Sequence, residues 1–410
     1  MHTVSRHRLI QLTASLVLLA SHASAQPNAA PQTAQDAFAN LSARAPDAFY
    51  APPLQVPAKP GALLRSEPLK DVTLPAGVRG WRILYTTTID DKTPATAVAT
   101  VFASSDPPAG PRPVILWGHA TTGLVQTCMP SLFSSPALGI PALDRAVKSG
   151  WVVVATDYAF AEKDGPHPYL IGEGEARSGL DAVRAARQIS GLTLDARTAV
   201  WGHSQGGHAA LWTGIIGPRY APDVPIVGVA AIAPVANLTN LFTTSARLDK
   251  RLGPLVALAY SRFYSGIKFD DAVRPEVLQA AREVASLCSF LPPEHPKRIA
   301  QLMASFEGRT FSARAALAAR LAENNADGPI AAPVLIAQGL TDVIVPPAVT
   351  DAHVSERCAA NQRLEHWTFA GTDHSNIVRP GGALDEPLIA WTAARFANEP
   401  QASGCARKAF

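Results

Sequence analysis

Ser204 stands in the stretch "AVWGHSQGG", with Gly202 two positions before it and Gly206 two positions after it. A serine hydroxyl is a weak nucleophile until a neighbouring base takes its proton. A sharp turn between a strand and a helix is one way to present such a hydroxyl, and the strained turn demands small residues on both sides. Here "TAVWG" (198–202) reads as a buried strand and "GHAALWTGIIG" (207–217) as the helix that follows. That helix would aim its first N–H groups and its positive dipole end at charge developing on a substrate oxygen. Ser204 is therefore the candidate nucleophile of an acyl-transfer reaction.

A base and an orienting acid must accompany it, and in a strand–turn–helix site of this kind the chain order is Ser, then Asp or Glu, then His. Asp342 in "LTDVIVPP" follows the apolar run "PVLIAQG", and His374 in "GTDHSN" follows "RLEHWTFA". Both sit in loops just beyond strand-like runs, so Asp342 can orient His374 while His374 faces Ser204. Asp373 is the rival acid, but its side chain is expected to diverge from that of its immediate neighbour. The oxyanion donors are expected to be the N–H of Gln205 and that of His119, or else Ala120, in the loop "HATTG" (119–123) after "PVILWG". His203 and His208 occupy turn and helix positions that suit packing or hydrogen bonding. His366 falls within a strand, His353 within a helix, and His167 and His295 in proline-rich loops expected at the surface. Glu173 and Glu175, at the start of "GEGEARSG", are read as solvated or capping groups.

The elements that must hold these residues are short and almost continuously apolar. "PVILWG" (113–118), "WVVVATD" (151–157), "TAVWG" (198–202), "IVGVAAIA" (226–233), "PVLIAQG" (333–339) and "RLEHWTFA" (363–370) suit strands buried on both faces. Helical patterns such as "ALDRAVKSG" (142–150) lie between them. Alternating strands and helices predict an α/β sheet with its site at the carboxyl ends of the strands. Before them, "WRILYTTTI" (81–89) and "ATAVATVFA" (95–103) flank "DDKTP", a hairpin signature. The alternation stops over 236–328, where mostly helical segments predict a lid or cap inserted into a core of 76–235 and 329–410. Residues 26–75, rich in Ala and Pro, read as an N-terminal arm.

Composition narrows the field. With 410 residues, 47% apolar and 17% charged, the chain can bury a large core. A formal net charge of +3, two units of it from Arg6 and Arg8, gives no electrostatic reason to expect nucleic acid as a partner. Those arginines precede the apolar "LVLLA" and the small "ASA" at 23–25, a secretory signal over 1–25 expected to be cleaved after Ala25. Export makes the four cysteines candidates for two disulfides, with three pairings open from the count alone. No H-E-x-x-H, P-loop or dinucleotide fingerprint is present, so neither metal nor cofactor is expected.

Taken together, "GHATTG" with "TCMPS", "GEGEARSGLDAVRAARQ", "GHSQGGHAALW", "LTDVIVPP" and the late histidine resemble the secretory lipase family of α/β-hydrolases, which includes the fungal type-A lipases. The resemblance runs from "FYAPP" (49–53) to the last cysteine. It implies an α/β-hydrolase fold with a helical lid over 236–328, a triad at Ser204, Asp342 and His374, and oxyanion donors at Gln205 and His119. It also implies disulfides Cys128–Cys288 and Cys358–Cys405. This chain departs from the fungal G-Y-S-G-G in carrying G-H-S-Q-G, a form common in bacterial esterases. The implied activity is hydrolysis of carboxylic esters, small or lipid, by a secreted monomer whose lid is the point of any transient contact with a lipid interface. A polyester depolymerase, an acyltransferase or a peptidase would use the same triad. A non-catalytic binding module on this fold usually lacks a triad member, and here all three positions are filled.

Overall fold

The computed structural model describes residues 1–2, 41–159, 167–244, 246–306, 315–401 and 403–410. The expected signal segment and the start of the arm fall almost wholly outside the described residues. The chain divides into two units, 1–32 and 33–410, and the second holds all the elements that follow.

Among the described residues, ten strands form one sheet: β1 (Leu63–Pro68), β2 (Val78–Thr88), β3 (Pro94–Ser104), β4 (Arg112–Gly118), β5 (Val152–Ala159), β6 (Leu194–His203), β7 (Ile226–Ile232), β8 (Val334–Gly339), β9 (Leu364–Phe369) and β10 (Cys405–Ala409). Their order is β1-β2-β3-β5-β4-β6-β7-β8-β9-β10. β1 to β3 run antiparallel and β3 meets β5 antiparallel, whereas every pairing from β5 to β10 is parallel. The six apolar runs became β4 to β9, and the hairpin became β2 and β3. β1 lies inside the arm, where Pro- and Ala-rich composition hid it, and β10 follows the last helix.

Strand residues point alternately to the two faces, and an apolar cluster covers each. Val114, Leu116, Val152, Val154 and Val200 pack on one face with Leu180, Val183 and Ile216. Ile115, Trp117, Val153 and Trp201 pack on the other with Leu143, Val147 and Leu388. The covering helices are α1 (Leu143–Lys148), α2 (Gly172–Ala186) and α3 (Gln205–Tyr220) early in the chain. Between β7 and β8 come α4 (Leu238–Thr244), α5 (Ala246–Phe263), α6 (Phe269–Ala272), α7 (Leu278–Ser286), α8 (Glu294–Ala304) and α9 (Ala315–Glu323). After β8 come α10 (Pro347–Ala359) and α11 (Asp385–Phe396). The block α4–α9 has its own core, with Leu252, Val256 and Tyr260 against Tyr169, Leu170 and Val345. Cys128, in the loop after β4, is bonded to Cys288, just past α7, and Cys358 of α10 is bonded to Cys405 of β10.

One buried acid within this frame gives a clean dependence on pH. Asp157, in β5, accepts hydrogen bonds from the Ser131 N–H (3.1 Å) and the Ser131 hydroxyl, and Tyr50 Oη lies 2.9 Å from that hydroxyl. Burial pushes its pKa up to about 7, well above the ordinary 3.8. The folded chain therefore holds a proton that the unfolded chain releases above pH 3.8. Its contribution to stability is full below that value and is lost as pH rises through 7. Asp157→Asn, which never ionises, should gain on the wild type by about 1.4 kcal/mol per pH unit across that window. Melting temperatures of both proteins from pH 4.5 to 8 check this, and a constant difference between them would refute it.

Candidate functional site

The carboxyl ends of β4, β6, β8 and β9 carry the candidate residues. Gly118 of β4 pairs with Gly202 of β6, and Gly339 of β8 pairs with Phe369 of β9. Strand β6 runs into Ser204, whose φ of 57° and ψ of −114° lie in a region that non-glycine residues rarely occupy. Such a residue carries roughly 1–3 kcal/mol of strain and persists only where its surroundings hold it. Three main-chain bonds do so here: Ser204 N–H donates to Ile232 O (2.9 Å), while its carbonyl accepts from His208 (3.1 Å) and Val235 (3.2 Å). The flanking glycines are required by close approach. A Cβ on Gly202 would stand 1.9 Å from Gly206 O, and one on Gly206 would stand 1.9 Å from Gly118 O.

His374 Nε2 lies 2.9 Å from Ser204 Oγ, and its Nδ1 lies 2.7 Å from Asp342 Oδ2. The Asp342 side chain is buried, and each of its oxygens has further donors. Oδ1 accepts from the N–H groups of Ile344 and Val345, both at 2.8 Å, and Oδ2 accepts from Gln338 Nε2 at 3.1 Å. Gln338 is itself held by Thr350 Oγ1 (2.8 Å) at the start of α10. Asp373 turns away: its oxygens accept from the N–H groups of Ser375 and Asn376 and from Asn376 Nδ2, which shapes the loop that carries His374.

Two main-chain segments meet at the elbow. Gln205 opens α3, where the first N–H groups of a helix lack intrahelical partners. The backbone after β4 presses against the elbow, since a Cβ on Gly206 would stand 2.9 Å from His119 N. The His119 carbonyl accepts from Tyr158 Oη (3.2 Å), and its ring Nδ1 donates to Ala120 O (2.7 Å). Burial holds the His119 ring neutral by lowering its pKa to about 4.

The other histidines have fixed places. His203 Nε2 donates to the His374 carbonyl at 2.8 Å, with the two rings 4.7 Å apart. Burial, then the nearby His374, push its pKa well below the ordinary value, so His203 is a neutral strut under the His374 loop. His167 is buried, its ring near those of Tyr158 and Tyr169, contrary to the surface position expected from its loop. His295 lies in α8, half-buried, where Nδ1 accepts from Cys288 N–H (3.1 Å), again not a surface group in a loop.

Glu175 is the largest departure from the sequence reading. It is 1% exposed rather than solvated. Its Oε1 accepts from Leu170 N–H (3.0 Å) and Gln205 Nε2 (2.9 Å), and its Oε2 meets His208 Nδ1 at 2.8 Å. His208 Nε2 in turn donates to Asn324 O (2.8 Å). Asn324 binds Gly172 N–H through Oδ1 (3.0 Å) and Tyr264 Oη of α5 through Nδ2 (2.9 Å). A buried acid–imidazole pair thus joins the first residue of α3 to the end of the helical block. The only sequence signal for it is an acid among small residues on a covering helix. Glu173, by contrast, is exposed in part and pairs with Arg177 (3.1 Å) and Arg219 (2.7 Å).

The sequence model of a family described as "Secretory lipase" matches residues 138–264. Lipase 6 of Candida albicans is 26% identical over 408 residues, covering 90% of this chain and 85% of that protein. A probable inactive lipase of Mycobacterium tuberculosis is 30% identical over 241 residues, covering 54% of this chain and 52% of that protein. Among solved structures, Candida antarctica lipase A in its closed state superposes with a TM-score of 0.64 at 18% identity, covering 87% of each chain. That likeness establishes the α/β-hydrolase fold.

Proposed function

We propose that the chain is a carboxylic ester hydrolase of the secretory lipase kind and that it works through an acyl-enzyme formed on Ser204. The observation that carries this reading is the chain of contacts Ser204 Oγ–His374 Nε2 and His374 Nδ1–Asp342 Oδ2. His374 takes the Ser204 proton as Oγ bonds to the ester carbonyl carbon, and the carbonyl oxygen becomes an oxyanion. The N–H groups of Gln205 and His119 hold that oxyanion, an interaction worth about 3–4 kcal/mol per donor in comparable sites. His374 then gives its proton to the leaving alcohol. In the second half it takes a proton from water, whose oxygen attacks the acyl carbon and releases the acid. Asp342 accepts the Nδ1 hydrogen bond throughout and stabilises the imidazolium.

The helices α4–α9 are the cap of this reading, and small or lipid esters with apolar acyl groups are its substrates. Export is proposed to follow cleavage of the signal after Ala25. A fluorophosphonate probe tests the central claim. Incubated with the folded chain, it should give one adduct, on Ser204, together with loss of activity toward a chromogenic ester series. An unlabelled, inactive chain would refute the acyl-enzyme.

A further inference from the structure

We infer that Asp327, His353 and Glu356 form a divalent transition-metal site, of the kind zinc occupies, between the end of the helical block and α10. Asp327 belongs to the segment that returns from α9 to β8. His353 and Glu356 lie three residues apart on α10, which places them on one face of that helix. One ring nitrogen and one oxygen from each carboxylate all lie within 4.8 Å of one another.

The imidazole distinguishes this cluster from an ordinary acidic surface. His353 is 2% exposed, and among the described residues its buried Nδ1 has no hydrogen-bond partner. Its nearest acid oxygen, Asp327 Oδ1, stands 3.9 Å away, beyond hydrogen-bonding distance. A buried polar atom left in this way costs about 1–3 kcal/mol. A neutral imidazole nitrogen is a common metal ligand.

The donor set indicates the metal. One imidazole nitrogen with two carboxylates suits zinc or a similar borderline cation better than magnesium or calcium, which prefer all-oxygen shells. Zinc–ligand bonds of about 2.0–2.2 Å place neighbouring ligands roughly 3.4 Å apart, so the cluster must contract by about an ångström. Asp327 and Glu356 are exposed and can supply that movement, while His353 is fixed. Water completes the shell. Arg357 donates to the main-chain carbonyl of Asp327, which fixes the loop but places a positive charge nearby and weakens the affinity. The bound ion would clip the segment after Asn324 to α10, the helix whose Thr350 supports Gln338 beside Asp342.

Zinc chloride titrated calorimetrically into the untagged full chain, stripped with EDTA, tests the site. One equivalent should bind, and saturating zinc should raise the melting temperature by a few degrees. Glu356→Gln, an exposed change, should weaken binding by about tenfold or more. His353→Gln should abolish it. His374→Ala, which leaves this cluster intact, should leave it unchanged. The proposal is overturned if the wild type takes up no zinc at millimolar concentration. It is equally overturned if Glu356→Gln and His353→Gln bind as the wild type does, or if His374→Ala alone removes the binding. None of these readouts depends on ester hydrolysis.

Discussion

Ser204→Ala should reduce kcat for a soluble ester by roughly 10⁴- to 10⁶-fold while the chain remains folded. The size follows from the proposed division of labour: without Oγ, His374 has no proton to accept and no covalent intermediate forms. The residual rate would come from water attacking an ester held by the Gln205 and His119 N–H groups. Folding should be preserved because the main-chain bonds of Ser204 to Ile232, His208 and Val235 do not involve the hydroxyl. The lost oxygen has His374 Nε2 as its side-chain contact. His374→Ala should fall to a similar level, and the double variant should be no slower than either single one, because the pair acts as a unit. Steady-state kinetics and a thermal melt on the three proteins check this. A kcat within tenfold of wild type in Ser204→Ala would refute the assignment.

Glu175→Ala should lower the unfolding free energy by about 3 kcal/mol or more, because each buried hydrogen-bonding group left without its partner costs about 1–3 kcal/mol. The alanine leaves Leu170 N–H, the Gln205 amide and His208 Nδ1 without their acceptor, and all three are buried. Glu175→Gln should recover most of the loss. Its amide oxygen can accept from Leu170 and Gln205, and its amide nitrogen can donate to His208 Nδ1 while His208 Nε2 still donates to Asn324 O. Urea unfolding midpoints for the wild type and the two variants provide the measurement. An alanine variant as stable as the wild type would show that the network holds nothing together.

These two sites differ in how legible they were. Ser204 could be read because the elbow is local: Gly202, Ser204 and Gly206 fall within five residues, and the strand before them and the helix after them are visible as apolar patterns. Asp342 and His374 were legible at one remove, as loop residues following the apolar runs of β8 and β9. Glu175 was not, because its burial is decided by partners 30 and 33 positions away, and His208 then reaches Asn324 116 positions further on. No local pattern encodes such contacts. His167 was misread for a related reason: proline-rich sequence suggests a surface loop, but the imidazole is buried near the rings of Tyr158 and Tyr169. The missed strands β1 and β10 lie at the two edges of the sheet, where apolar burial is weakest and periodicity fades.

The edge strands also bear on how the protein behaves at high concentration. Among the described residues the sheet ends in β1 and β10, and sheet edges invite another copy to add a strand. β1 carries Arg65 and Glu67 and stops at Pro68, while β10 is five residues long and carries Arg407 and Lys408. Charge, proline and shortness each oppose strand addition. Arg407 pairs with Asp351, and Lys408 with Glu365 (2.8 Å), so the cationic rim is held in place rather than loose. The same two strands that contribute least to the core are thus the ones that guard the sheet against growing into an aggregate.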